Sequence, residues 1–291
     1  MGSSRDGHDR RARTSRLVVD SLTGPADRIL RADKVDDAEA IHRERIEIRR
    51  LRGRLHLFRP LLRSDVVDPL DTRLRDLGHA IGTVRDLDVM GTRLESHAVR
   101  HGFDMSSWTV DVSWRGGRAR DVLAARRASP RHAELLAEIR STAASPPFRS
   151  GAGLDIDPVV FLEERARRRA RQISTWADEL GDAAEPSEIE LHQFRRRLRR
   201  ARYSFEAAAV ELGKPSRRAA KSLKGLTDVL GDLHDSQITR DWLAAHPGSD
   251  RGAAIIAATV TGYELAVGDR ARVDLGPTLD ASLEAVRSAT R

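Results

Sequence analysis

Residues 41–58, IHRERIEIRRLRGRLHLF, carry two kinds of side chain at the spacing of an α-helix. The first kind is apolar and comprises Ile41, Ile48, Leu51, Leu55 and Phe58. The second kind is basic and comprises His42, Arg45, Arg49 and Arg52. Arg45, Arg49 and Arg52 follow His42 by 3, 7 and 10 positions, which places all four side chains within one stripe of a helix. This basic stripe lies beside the apolar one. The segment therefore predicts an amphipathic helix whose basic face flanks the core.

A second segment, LHQFRRRLRRARYSFEAA at residues 191–208, repeats this pattern. Aligned on its histidine, it carries the same basic positions, which are His192, Arg195, Arg199 and Arg202. Arg50 and Arg200 also repeat, but at 100° per residue they point well away from this face. Like charges on one face repel one another, so acidic neighbours or a bound polyanion must neutralise them. Salt bridges to nearby glutamates would explain one such helix, whereas two copies with the same offsets favour a polyanion.

A further match follows each basic segment at a similar distance. LRDLGHAIGTVRDLDV at residues 74–89 aligns with LKGLTDVLGDLHDSQI at residues 223–238. The alignment pairs Leu77 with Leu226, Gly82 with Gly231, and Asp86 with Asp235. The repeated unit is thus at least a helix–loop–helix, and the chain is predicted to consist of two related helical bundles.

Composition supports helices and a phosphate-bearing partner. Aromatic residues make up only 4% of the 291 residues, which favours packed helices over a sandwich or barrel. The formal net charge is +7, and arginine supplies it almost alone, because lysine occurs only at positions 34, 214, 221 and 224. Arginine's planar fork matches phosphate oxygens, although a GC-rich genome would also favour arginine. The absence of cysteine excludes disulfides, thiolate metal sites and a cysteine nucleophile.

The remaining pattern predicts the organisation of the chain. A disordered basic tail is expected at 1–15, a first bundle at 16–150 and a second at 151–291. Neither a secretory signal nor a membrane-spanning helix is predicted. Loops are predicted at 102–117 and, as a linker, at 145–158. Helices are predicted at 36–60, 66–97, 118–127, 131–144, 158–181, 186–212, 216–245, 250–269 and 277–290.

At these residues the sequence resembles the CHAD family, the conserved histidine α-helical domain. His42-x-x-Arg45 with Arg49-Arg50-Leu51-Arg52 is similar to the leading motif of that family, and residues 77–89 to its next element. His192-x-x-Arg195 through Glu206 resembles the second-half motif, which residues 221–235 continue. The resemblance covers roughly residues 16–291. Two departures stand out: loop 102–117, with Trp108 and Trp114, has no counterpart, and His234 stands where asparagine is more usual.

The resemblance implies an all-α fold of two four-helix bundles, related by pseudo-two-fold symmetry, with a basic channel between them. It also implies binding of inorganic polyphosphate and association with polyphosphate granules. The absence of cysteine fits a cytoplasmic protein, and we expect the binding to be non-catalytic, without a cofactor or metal. The residues expected to bind the polymer are His42, Arg45, Arg49, Arg50, Arg52, His192, Arg195, Arg199, Arg202, Lys221 and Lys224.

Three alternatives remain open. A nucleic-acid binder would use the same phosphate chemistry, but single-strand binders usually add aromatic stacking platforms, and aromatic residues are few here. A helical scaffold for an acidic protein would also fit the charge. A metal-dependent polyphosphate hydrolase would require metal ligands, for which Asp86, Asp88, Asp232 and Asp235 are the candidates. We expect these aspartates to pair with arginines instead, since no P-loop, HExxH or G-x-S-x-G motif is present.

Overall fold

The computed structural model describes residues 2–33, 37–181, 186–248 and 250–291. Within these ranges the chain forms eight α-helices and a single-turn 3₁₀ helix, Arg59–Leu61, and no strand, so the predicted all-α class is confirmed. Three residues named in the sequence analysis lie outside the described ranges: Met1 of the predicted tail, Lys34, and Asp36 at the start of the predicted helix 36–60. The helices are α1 Gly2–Ala32, α2 Ala38–Phe58, α3 Ser64–His101, α4 Ser106–Arg127, α5 Pro130–Ala144, α6 Pro158–Gly181, α7 Glu188–Ala245 and α8 Arg251–Ser288.

Side-chain caps set the first residues of the helices that carry the basic faces. The Asp37 carboxylate accepts a hydrogen bond from the amide of Ala40 at 2.5 Å, at the start of α2. Ser187 and Glu190 form a reciprocal capping box at the start of α7. Such caps satisfy amides that have no partner within the helix. The helices that carry the two basic segments therefore begin at capping residues, Asp37 and Ser187, that lie just before them in the sequence.

The N-terminal residues differ from prediction, because residues 2–15 lie in α1 and not in a disordered tail. Thr14 is buried, and its hydroxyl donates to the carbonyl of Ile156 at 2.8 Å. Arg13 reaches Asp157 at 3.4 Å. These partners lie more than 140 positions away along the chain, so the local polarity of this segment could not reveal them.

The predicted loop at 102–117 is also wrong, since most of it forms the first half of α4. Gly102, with φ of 69°, ends α3, and α4 begins at Ser106. Trp108 and Val112 are buried one turn apart, and the indole of Trp108 donates to the carbonyl of His246 at 2.7 Å. Tertiary burial therefore stabilises a helix whose serines and glycines favour irregular structure.

Two predicted breaks between helices have different outcomes. α7 bends at Gly213, whose φ of 68° and ψ of −141° are non-helical, where the sequence predicted a boundary. In contrast, α8 continues through Pro277 without interruption. Leu275, Leu279 and Leu283 pack at one-turn intervals against the second core, so their stripe holds the helix together across the proline.

The apolar core has three parts. The largest draws mainly on α1, α2, α3 and α5, and it also includes Leu154 and Phe161. A second part lies among α6, α7 and α8, and a third joins the ends of α3 and α4 to α7 and α8. The predicted linker 145–158 packs on the first part, where the Arg149 amide donates to the Leu61 carbonyl at 3.1 Å. The connection between the two predicted halves is thus part of the packed structure.

Helices α2 and α7 pack directly against each other at Gly53. A Cβ atom at this position would lie 2.6 Å from the Cβ of Tyr203, which is closer than real Cβ atoms approach. Only glycine therefore permits this contact. The contact brings the two helices that carry the repeated basic faces side by side.

Candidate functional site

The N-terminal parts of α2 and α7 line one cleft, here called the central cleft, together with side chains of α3 and of the part of α7 that follows Gly213. Its basic lining residues are His42, Arg45, Arg49, Arg85, Arg93, His192, Arg195, Arg199 and His234. The cleft continues along α2 and α7 towards Tyr203, where Arg52, Arg75, Arg196 and Arg200 join the lining. The structure thus brings together three predicted side chains of the first segment and three of the second in the central cleft.

Arg49 and Arg199 face this cleft as largely desolvated cations without an ion-pair partner in the described chain. The interactions of both guanidinium groups with the described residues are electrostatic only, without an ion pair or a side-chain hydrogen bond. Burial, followed by the charge of Arg45, lowers the pKa of Arg49 to about 10. Burial, followed by the charges of Arg49 and Arg195, lowers the pKa of Arg199 to about 8. Both side chains therefore carry charges that a bound anion would stabilise.

Acidic groups only partly compensate the cleft. Arg45 bonds the carboxylate of Asp86 at 2.8 Å, and burial raises the pKa of Asp235 against the opposing charge of Arg195. The Nε atoms of Arg45 and Arg195 are buried and have no hydrogen-bond partner in the described chain. Unsatisfied buried donors of this kind call for a ligand or ordered water.

A glycine faces an arginine in each of the two repeated segments. A Cβ on Gly82 would lie 3.4 Å from a terminal nitrogen of Arg45, and one on Gly231 would lie 3.0 Å from that of Arg195. The sequence alignment paired Gly82 with Gly231 and Arg45 with Arg195. The repeat therefore extends to the contact between the two residues: each glycine leaves room for the guanidinium that lines the cleft.

The histidines that begin the basic segments favour the neutral form in the free protein. Burial, followed by His234 and Arg199, lowers the pKa of His192 to about 4, and the two imidazole rings lie 4.7 Å apart. Burial, followed by Arg85, lowers the pKa of His42. Protonation of either ring would add a charge among existing cations, which a polyanion would offset.

The structure does not bring every predicted binding residue to the central cleft. Arg50 is paired with Glu47 at 2.5 Å and with Glu206 at 2.7 Å, so its side chain is occupied elsewhere. Arg202 lies over the ring of Tyr203, with its guanidinium carbon 5.1 Å from the ring centroid. Arg52 lines only the continuation, where Asp71 holds it through two hydrogen bonds.

The two predicted lysines also lie outside the clefts described here. Lys221 is exposed on α7. Lys224 is exposed as well, and it pairs with Asp228 one turn along the same helix at 2.5 Å. Their contribution to binding stays a prediction, which the lining of the cleft does not support.

Sequence reasoning missed two arginines from α3 and left the role of His234 open. Arg85 and Arg93 are two turns apart on one face, a spacing that could have identified them. Arg93 is held by Glu264 of α8 through hydrogen bonds of 2.7 and 2.5 Å. The predicted pairing of aspartates with arginines is confirmed for Asp86, with Arg45, and for Asp88, with Arg120.

Two properties of the described residues bear on the alternatives. They contain no group of three or more histidine, aspartate or glutamate side chains arranged to hold a metal ion. None of their helices is long and apolar enough to cross a membrane.

Comparison with known proteins gives consistent matches. A family model of the CHAD domain matches residues 18–244. Two uncharacterized proteins of Mycobacterium tuberculosis, MT2285 and Rv2226, are each 28% identical over 231 residues. These matches cover 75% of this chain but 42% of each relative, so the chain spans less than half the length of the curated relatives it matches.

Two solved structures share the fold. PptA from Streptomyces chartreusis superposes with a TM-score of 0.73 at 17% identity, covering 91% of this chain and 99% of that one. The CHAD domain from the plant Ricinus communis superposes with a TM-score of 0.66 at 22% identity, covering 94% of this chain and 91% of that one. At these identities the likeness concerns the fold alone.

Proposed function

Since the chain belongs to the CHAD family, we propose that its central cleft binds inorganic polyphosphate without catalysing its breakdown. The observation that carries the proposal is the pair Arg49 and Arg199, two half-buried guanidinium groups that face one cleft from different helices without an acidic partner in the described chain. A flexible polymer with a negative charge on every unit would neutralise both, and it would release its counterions on binding.

The cleft's other lining residues favour a phosphate chain over single-stranded nucleic acid. The described residues of the central cleft include Ile46, Val89, Met90 and Ile238, but no phenylalanine, tyrosine or tryptophan. Apart from the histidine rings, nucleic-acid bases would therefore find no aromatic ring to stack on there, and Tyr203 lines only the continuation. Arginine forks supply paired donors for phosphate oxygens, which is all that a chain without bases requires.

A comparison of the affinities for two polyanions tests the proposal. Binding of long-chain polyphosphate is measured beside binding of a single-stranded DNA oligomer with the same number of charges, each at two salt concentrations. We expect polyphosphate to bind more tightly at both, with an affinity that falls as salt rises. A preference for DNA would overturn the proposal in favour of nucleic-acid binding. Release of phosphate from the polymer with added magnesium ions would overturn its non-catalytic part.

We further propose that binding places the protein on polyphosphate granules. A fluorescent fusion of the chain should co-localise with granules in cells that accumulate the polymer, and it should become diffuse in cells that cannot make it. A fusion that remains diffuse in both would contradict this part.

The lowered histidine pKa values predict that binding becomes tighter in acid. A bound polyanion favours the protonated imidazole of His192, so its pKa in the complex lies above the value of about 4 in the free protein. Protons are therefore taken up on binding, and affinity rises as pH falls through the bound-state pKa. We expect binding about three- to tenfold tighter at pH 5 than at pH 7.

Calorimetry in two buffers that differ in ionisation enthalpy measures the uptake of protons on binding. The variant His192→Asn should show a weaker dependence, and an unchanged one would contradict this explanation.

A further inference from the structure

A second basic cleft lies between α6 and the C-terminal end of α2, and we call it the α6 cleft. It adjoins the continuation of the central cleft, with which it shares Arg200. None of its described lining residues is an aspartate or glutamate. Its polar lining residues are His56, Arg59, Arg165, Arg168, Arg169, Gln172 and Arg200.

The two arginines on the inner face of α6 have little compensation. The Nε of Arg165 is buried without a hydrogen-bond partner, and its terminal nitrogen makes only a long contact of 3.4 Å to the carbonyl of His56. Arg169 bonds the side chain of Gln172 at 2.8 Å, which is neutral. Burial, followed by the charges of Arg165, Arg200 and Arg168, lowers the pKa of Arg169 to about 10. Like charges are thus gathered in a cleft whose described lining contains no acidic residue.

The two clefts are connected along α2 and α7. Arg200 lines both the α6 cleft and the continuation of the central cleft. Along α2, the basic lining runs from His42 through Arg52 to His56, which is about 21 Å at a rise of 1.5 Å per residue. Asp71 stands between Arg52 and His56, at 2.8 and 3.6 Å, and orders both side chains. A ligand that spans both clefts must therefore be long.

We propose that the α6 cleft is a second subsite for inorganic polyphosphate. A single polymer can occupy both clefts together only if it is long enough to extend from the central cleft into the α6 cleft. The proposal rests on the proposed function. Its consequence is selectivity for length: long polymers gain the contacts of Arg165 and Arg169, because the first site holds the chain at a high effective concentration near the second. Short polyphosphates fill the central cleft alone.

α6 offers a matched control for the test. The variant Arg165→Gln/Arg169→Gln removes two charges from the cleft. The control Arg167→Gln/Arg171→Gln removes two charges from the same helix, where both side chains are exposed and Arg167 pairs with Glu163 at 3.1 Å. The affinity of each full-length variant is measured for tripolyphosphate and for long-chain polyphosphate over a range of salt concentrations. Thermal melting confirms folding, which loss of the repulsion between Arg165 and Arg169 should not impair.

The expected result is selective. Arg165→Gln/Arg169→Gln should weaken long-chain binding by about tenfold or more and reduce its salt slope by about 1.4, as for the loss of two phosphate contacts. Its tripolyphosphate affinity should match that of the control. An unchanged long-chain affinity, or an equal loss for both ligands, would overturn the second subsite. If the unmodified protein binds neither ligand, the proposed function itself fails, and the subsite fails with it.

Discussion

Arg199→Glu is expected to weaken polyphosphate binding by about 100-fold or more, which is the largest effect that we predict for a single substitution on affinity. Removing one partner of a desolvated charge pair costs about 2–5 kcal/mol, and reversal adds repulsion of the ligand. Arg199 is half-buried, unpaired in the described chain, and surrounded by the charges of Arg49, Arg195 and Arg45. Isothermal titration of long-chain polyphosphate measures the loss, and Arg49→Glu should show one of similar size.

Arg202→Glu is the matched control for this experiment. It changes the net charge equally on the same helix, but its side chain lies over Tyr203 and outside the central cleft. We expect its effect to stay within a few-fold, as for a remote charge that only alters the overall field. Equal losses for Arg199→Glu and Arg202→Glu would show that net charge, and not the cleft, governs binding. Both variants should remain folded, since neither residue has an acidic partner to lose in the described chain.

Glu264→Ala is expected to lower the free energy of unfolding by about 3–5 kcal/mol, the largest effect on stability that we predict. The carboxylate is only 1% exposed, and it accepts hydrogen bonds from Arg93 at 2.7 and 2.5 Å and from His97 at 2.7 Å. Its removal leaves a half-buried guanidinium without its partner. Chemical denaturation at pH 7 measures the loss.

The double variant Arg93→Met/Glu264→Met separates pairing from packing. Because a buried ion pair can often be replaced by apolar side chains of similar size at little cost, we expect it to be more stable than Glu264→Ala. Burial opposes ionisation of Glu264, but the hydrogen bonds of His97 and Arg93 prevail and lower its pKa. Its stabilising effect is therefore present above pH 4.5 and is lost as pH falls through the folded-state pKa. If the difference in free energy of unfolding between Glu264→Ala and the unmodified protein grew as pH falls, this assignment would be contradicted.

The basic faces could be predicted because both depend on spacing within one helix. His42, Arg45 and Arg49 lie on one side of α2, as their offsets require, and they reach the same cleft as their counterparts on α7. Arg52 is held instead by Asp71, 19 positions away, and Arg202 lies over the ring of the next residue, Tyr203, and neither contact follows from the spacing of the basic residues. Spacing therefore identified the stripe but could not say where along the stripe the cleft ends.

What the sequence did not show depends on contacts between distant segments. Glu264 lies 171 positions from Arg93, and no periodicity connects α8 with α3. Trp108 and Val112 form a helical pair, but the serines and glycines around them suggested a loop, and only their burial against α7 and α8 determines the outcome. The α6 cleft escaped notice for the same reason, since its arginines become a site only beside His56 of α2.

Gly53 has a consequence for how such a protein can evolve. Because α2 and α7 touch there without an intervening side chain, Arg49 and Arg199 repel each other between the two helices whenever the cleft is empty. Neutral residues of similar size at these two positions would make the empty protein more stable and the binder weaker. Selection for heat resistance and selection for affinity thus act in opposite directions on the same two codons. A lineage that no longer encountered the polymer would be free to lose these arginines first.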